Sequence, residues 1–200
     1  MTHYNLTCKR VSHFIDVITR HHYEPFTVEY WVEDFDSFVI NQIAISPMLA
    51  ECRVTHCYNV KDPRFKCLPL GVKFHAKDII GDFKYQGEKK LLLICMSENT
   101  NPQRKLFPDW SLDKDWVTFQ YSTEPEHYFI LLQQHHFCVC PSGYSIDTYR
   151  FWECLGNNVI PIVDTDYYNQ FPEIQGKYLK VDNFFDLTET FLLEKLKDYR

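Results

Sequence analysis

In the first third of the chain, apolar residues fall at Val11, Phe14, Ile15 and Ile18, the three-and-four spacing that gathers them on one face of a helix. An extended run rich in β-formers follows from Phe26 to Val32. Asp36 is positioned to cap a second helix, with apolar positions at Phe38, Val39, Ile43 and Ile45 and a stop near Pro47. Arg53 to Val60 reads as a strand and Asp62-Pro63 as a turn. The stretch 66–72, which contains Pro69 and Gly71, reads as a link between lobes. This pattern predicts a short N-terminal α/β lobe over residues 1–68 and a larger lobe over 69–200.

From Lys89 onward, short continuous apolar runs alternate with helical periodicity, as expected of buried parallel strands joined by crossover helices. Strands are predicted at Leu91 to Met96, Val117 to Tyr121, Phe137 to Cys140 and Val159 to Val163. Helices are predicted near Arg104 to Leu106, near Glu126 to Gln134, at Ile146 to Leu155 and at Leu187 to Lys197. The fold class implied is α/β, with a parallel sheet in the C-terminal lobe. No internal repeat or low-complexity tract interrupts it.

Composition narrows the function. The 200 residues are 45% hydrophobic and carry a formal charge of −6, and the 21 basic residues form no long run. That argues against a nucleic-acid partner, which needs clustered Lys and Arg. No window approaches the ~20 apolar residues of a membrane span, and the N-terminus lacks a signal-type core. The sequence is therefore read as soluble and cytoplasmic, either a whole protein or one domain of a longer, multi-enzyme chain. Aromatic content of 16% supplies both a core and the walls of a binding groove. The eight cysteines are irregularly spaced with no C-x-x-C pair, which argues against zinc. Cys95, Cys138 and Cys140 lie in apolar runs and read as small core residues. The pairs His21-His22 and His135-His136 read as loop or strand-edge features.

The chemistry concentrates in the stretch from Phe137 to Val163, one βαβ unit. A strand ends at Pro141, Gly143 permits a tight turn with close backbone approach to a ligand, Ser145 is a candidate N-cap, and Gly156 is a candidate left-handed helix end. A turn of this kind, feeding a helix N-terminus from the carboxyl end of a parallel strand, is where α/β proteins hold anionic ligands. Asp147, Arg150 and Glu153 recur every three residues, so they share one broad helical face while Ile146, Phe151, Cys154 and Leu155 turn to the sheet. Arg150 has the fork geometry for a diphosphate, and Glu153 two oxygens for a ribose diol. A solvated face with intrahelical ion pairs has the same spacing.

The same residues resemble the exostosin-type glycosyltransferase signature, in which F-x-x-C-P-x-G-x-x-x-D-x-x-R-x-x-E-x-L precedes an I-P-V strand. Cys140, Pro141, Gly143, Asp147, Arg150, Glu153, Leu155, Ile160 and Pro161 fit in order. The strand followed by Thr100, Asn101 and Arg104 is similar to the T-N-x-x-x-R of related small glycosyltransferases, and Pro69-Leu70-Gly71-Val72 is similar to their P-x-G-I/V junction. The resemblance covers residues ~66 to 190. It implies a GT-B-like enzyme whose Rossmann-like C-terminal lobe binds a UDP-type nucleotide-sugar, with a glycan or other hydroxyl acceptor approaching from the short N-terminal lobe. It further implies a donor site of Gly71, Thr100, Arg104, Ser142, Gly143, Tyr144, Asp147, Arg150 and Glu153. Arg104 and Arg150 would lie on the phosphates and no metal would be required. Ser142 departs from the basic residue common at its position. The candidate acceptor bases are Asp34, Asp36 and His56.

Two other readings stay open. Asp164-Thr165-Asp166 follows an apolar strand as the D-x-D of a GT-A-type, manganese- or magnesium-dependent glycosyltransferase would, and Asp34-Phe35-Asp36 matches the same short pattern. Alternatively, the chain is a non-catalytic module that binds a nucleotide-sugar without turning it over, as Ser142 and the short N-terminal lobe suggest.

Overall fold

The computed structural model describes residues 1–6, 10–32, 37–57 and 59–199. The chain divides into two compact units, Met1–Leu70 and Gly71–Arg200, each built on an all-parallel sheet flanked by helices. Both are of Rossmann-like α/β class.

Unit 1 runs β1 (Thr2–Asn5), α1 (Val11–Thr19), β2 (Phe26–Tyr30), α2 (Ser37–Ile40), β3 (Leu49–Thr55) and β4 (Phe65–Leu68). Its strands lie side by side in chain order, β1-β2-β3-β4. Helix α1 buries Phe14 and Ile18 of the expected face together with Val17, while Val11 at its start is exposed and Ile15 half-buried, and Phe14 stacks on Tyr30 of β2 with centroids 4.5 Å apart. Strand β1 escapes pattern reading because Thr2–Asn5 is an edge strand with little burial. It is fixed by backbone pairing, including Thr2 N–H to the Pro25 carbonyl and Leu6 N–H to that of Glu29.

Two expectations for unit 1 need correction. The second helix spans only Ser37–Ile40 and does not reach Ile45. Asn41 intervenes: its side chain donates to the Asn59 carbonyl at 2.8 Å and accepts the Lys61 N–H at 2.8 Å, so the chain leaves the helix to meet the 59–61 segment. The strand expected from Arg53 to Val60 starts at Leu49 and stops at Thr55, because His56 adopts a left-handed backbone (φ 61°) that no strand can contain. The expected cap Asp36 lies outside the described residues.

Unit 2 runs α3 (Ala76–Ile80), β5 (Lys90–Met96), α4 (Phe107–Ser111), β6 (Val117–Tyr121), α5 (Pro125–Gln133), β7 (His135–Val139), α6 (Tyr149–Gly156), β8 (Ile160–Val163), β9 (Leu179–Lys180) and α7 (Glu189–Leu196). The sheet order is β6-β5-β7-β8-β9, with Leu92 opposite Val117 on one side and opposite Phe137 on the other. Leu92, Ile94 and Met96 join Phe107, Phe137, Val139, Ile162, Phe184 and Leu192 in the core. Leu93 and Cys95, on the opposite face of β5, are buried as well. A strand covered on both faces is the reason its sequence is continuously apolar. The four strands predicted here are all present. Strand β9 has only two residues, too few to leave a pattern.

Helix α6 starts later than its periodicity suggests. Thr148 is extended (φ −130°, ψ 142°) and precedes the first helical residue, so Ser145 is not the cap and Asp147 is not on the helix. Gly156 is the last helical residue, and the left-handed position falls two residues on, at Asn158 (φ 55°).

Candidate functional site

The strand order of unit 2 reverses direction once. From β5 the chain passes to β6 on one side, then returns to place β7 on the other side of β5. At such a switch point the loops leaving the two central strands diverge, and the crevice at their carboxyl ends is where open α/β sheets take ligands. Here the crevice is bounded by the segment after β5, with 3₁₀ turns at Glu98–Thr100 and Pro102–Leu106, and by Cys140 to Thr148 after β7.

Arg104 joins the two sides. Its guanidinium is 5% exposed and donates to three carbonyls: Ser97 at 3.3 Å, Pro141 at 2.7 Å and Ser142 at 3.0 Å. The fork geometry of arginine lets one side chain serve all three. Burial, helped by the neighbouring Arg150, brings its pKa down to about 10. A Cβ at Gly143 would lie 3.2 Å from Arg104 Nη2 and 3.6 Å from Thr100 Oγ1. A side chain there would press on the Arg104 guanidinium, and the φ of Gly143 is not left-handed. Gly143 N–H turns back to the Ser145 carbonyl at 2.9 Å. Thr100, Arg104, Ser142 and Gly143, named separately from sequence, are thus brought together, with Tyr144 84% exposed beside them.

Arg150 and Glu153 come from α6. Arg150 Nε is buried with no hydrogen-bond partner, as is Thr100 Oγ1. The Arg150 guanidinium lies over the Tyr128 ring at 6.0 Å. Burial works against its charge, but its pKa stays above the ordinary arginine value and the guanidinium remains cationic. Glu153 is 7% exposed, one of three buried residues of α6 with Phe151 and Cys154. Burial raises its carboxyl pKa, and the adjacent Arg150 holds part of that rise back. Lys73, not named from sequence, lies 6.0 Å from the Tyr149 ring, and its backbone reaches the Glu153 carboxylate. Its position just after the Pro69-Leu70-Gly71-Val72 junction was the available signal. Gly71 itself is left-handed (φ 76°), with open space around it.

Asp147 does not share a face with these two. It is 2% exposed, and it accepts from Trp152 Nε1 at 2.7 Å and from the Tyr167 hydroxyl at 3.4 Å, bracing the turn from inside. The two aspartates after β8 point to different partners. Asp164 accepts from Gln103 Nε2 at 3.4 Å, while exposed Asp166 pairs with Lys180 at 2.6 Å and with Asn169 Nδ2 at 2.9 Å. Of the candidate bases, His56 is buried at the end of β3 in unit 1, and Asp34 and Asp36 lie outside the described residues.

Cys138, Cys140 and Cys154 bring three buried sulfurs within 4.8 Å of one another beneath the turn, a convergence that irregular spacing concealed. Burial pushes the Cys138 and Cys154 thiols up, so they pack as neutral groups between β7 and α6. A groove of about 400 Å³ lined by Lys77, Phe83, Lys84, Lys89, Gln133 and Asn158 sits at the amino ends of the strands, away from the switch-point turn. Among the described residues, no helix is long and apolar enough to cross a membrane. No protein-family model matches the chain.

Proposed function

We propose that this protein is a glycosyltransferase of exostosin, GT-B-like type, transferring a sugar from a UDP-linked donor to a hydroxyl of an oligosaccharide or glycoprotein glycan without a metal. The observation that carries this reading is the turn at the β5/β7 switch point. There, a glycine, an unpartnered threonine hydroxyl and two arginines meet beside the buried carboxylate of Glu153. In this reading Arg150, whose Nε lacks a partner, takes the donor diphosphate, where charge grows as the glycosidic bond breaks. Glu153 accepts from the ribose diol, and Arg104 fixes the loops that cradle the phosphates. A base drawn from Asp34, Asp36 or His56 removes the acceptor proton. The pairing of Asp166 with Lys180 supports the metal-independent form, since a cation already neutralises that carboxylate.

Calorimetric titration with UDP, GDP and their sugars, with EDTA and with added manganese, tests this. Metal-independent UDP binding that is lost in Arg150→Ala is the expected result, with donor hydrolysis or transfer alongside. Manganese-dependent binding would transfer the reading to Asp164 and Asp166. Binding without turnover at any acceptor concentration would make the chain a nucleotide-sugar-binding module.

A further inference from the structure

We propose that Cys57 and Cys67 of unit 1 form a modification site, a dithiol that small-molecule disulfides close into an intramolecular disulfide. The connection from β3 to β4 runs over residues 56–64, short for a link between parallel strands. His56 starts it with a left-handed residue, and Val60 N–H closes a turn onto the Cys57 carbonyl at 2.9 Å. This reversal folds Cys57 back against β4, where Cys67 stands opposite Val54. The two sulfurs touch at 2.9 Å.

Contact alone does not distinguish the pair, because Cys140 and Cys154 also approach each other, at 3.7 Å. What distinguishes it is access. Cys140 and Cys154 are both buried, as is Cys52, whereas Cys67 is only partly buried beside a Cys57 that is 5% exposed. An oxidant of disulfide class can therefore reach one sulfur whose partner waits within it.

The exchange balances without any further reagent. The Cys67 thiolate attacks glutathione disulfide, forming a mixed disulfide and releasing one glutathione thiolate. Cys57, held as a thiol by its hydrogen bond to Cys67 and by burial, loses that hydrogen bond and gives up its proton. Its sulfur displaces the second glutathione. The net change is one protein disulfide formed, one glutathione disulfide reduced, and two protons carried off by the released thiols. Closing the 57–67 loop restrains the unfolded chain, so the oxidised form gains stability.

The full chain is incubated with glutathione disulfide, alkylated and mapped by mass spectrometry without reduction. The expected result is a linked Cys57–Cys67 peptide, two hydrogens lighter than the reduced pair, and a melting midpoint raised by several degrees and restored by dithiothreitol. Cys67→Ser, at the partly buried position, abolishes both changes, and Cys154→Ser leaves them intact. Should Cys57→Ser fail to fold, Cys67→Ser decides alone. A stable glutathione adduct at Cys67, a link to Cys52 or Cys8, or unchanged alkylation of both cysteines would overturn the proposal.

Discussion

Both units are parallel α/β layers, yet among the described residues a switch point with polar side chains gathered at it occurs only in unit 2. In unit 1 the strands are laid down in chain order and no pair of loops diverges. In unit 2 the order turns back at β5, and the residues that open the crevice are Thr100, Arg104, Gly143, Arg150 and Glu153. The difference teaches that winding order decides where the loops of a sheet part to form a crevice. Strand content does not separate the two units, but the single reversal does.

The largest expected effect tests whether Arg104 belongs to the fold of the crevice or to its ligand. Arg104→Ala leaves three carbonyls without their donor and should lower the stability of unit 2 in chemical denaturation by about 1–3 kcal/mol for each carbonyl left unsatisfied. Unaltered stability with lost nucleotide binding would instead make Arg104 a ligand contact. Next comes Arg150→Ala, expected to weaken UDP binding by about 1.5–3 kcal/mol, roughly ten- to a hundred-fold, with the melting transition retained. Equal affinity would remove the diphosphate role and much of the contrast between the units. Gly143→Ala pushes a methyl to 3.2 Å from Arg104 Nη2 and should cost about 1–2 kcal/mol, read as a lower midpoint in thermal melting.

The smallest effects concern pH, where the units should respond in opposite directions. The hydrogen-bonding Arg64 guanidinium holds the Asp62 carboxyl below the usual carboxylate range. Its stabilisation of unit 1 is present above the unfolded pKa and is lost as pH falls through the folded one. Asp62→Asn should remove about 0.5–1 kcal/mol near neutrality and little in acid. Glu153 has its pKa raised, so ionising it in the fold is unfavourable. Its stabilising contribution is full below the unfolded pKa and is lost as pH rises through the folded value. Glu153→Gln should therefore raise the melting midpoint at pH 8 but not in acid, while weakening UDP by about 1 kcal/mol and free diphosphate less. Equal losses for both ligands would contradict the ribose assignment.

The sequence made the central strands of unit 2 legible because both faces are buried, which leaves uninterrupted apolar runs at 91–96, 137–140 and 159–163; β6, at the sheet edge, reads Val-Thr-Phe-Gln-Tyr, alternating where the central strands are continuous. It made α1 legible for the complementary reason, a single buried stripe. Strand β1, at an edge, and the two-residue β9 left no such trace. Helix α2 stopped short because Asn41 has partners far along the chain, and no local window contains Asn59 or Lys61. At the site, the spacing of Asp147, Arg150 and Glu153 suggested one exposed helical face. The extended Thr148 separates Asp147 from the other two, and Glu153 turns inward despite its charge. Three-residue spacing reports a face only where the backbone is helical throughout. The meeting of Thr100, Arg104 and Gly143 depends on β5 and β7 being neighbours, a fact of topology that residue pattern does not encode.

The close approach at Gly143 also bears on how this chain can change over generations. A methyl at position 143 requires the guanidinium at 104 to shift by a few tenths of an ångström, and that guanidinium holds carbonyls on both loops. A lineage that enlarges position 143 therefore inherits pressure on position 104, and the two are expected to be linked in their substitutions.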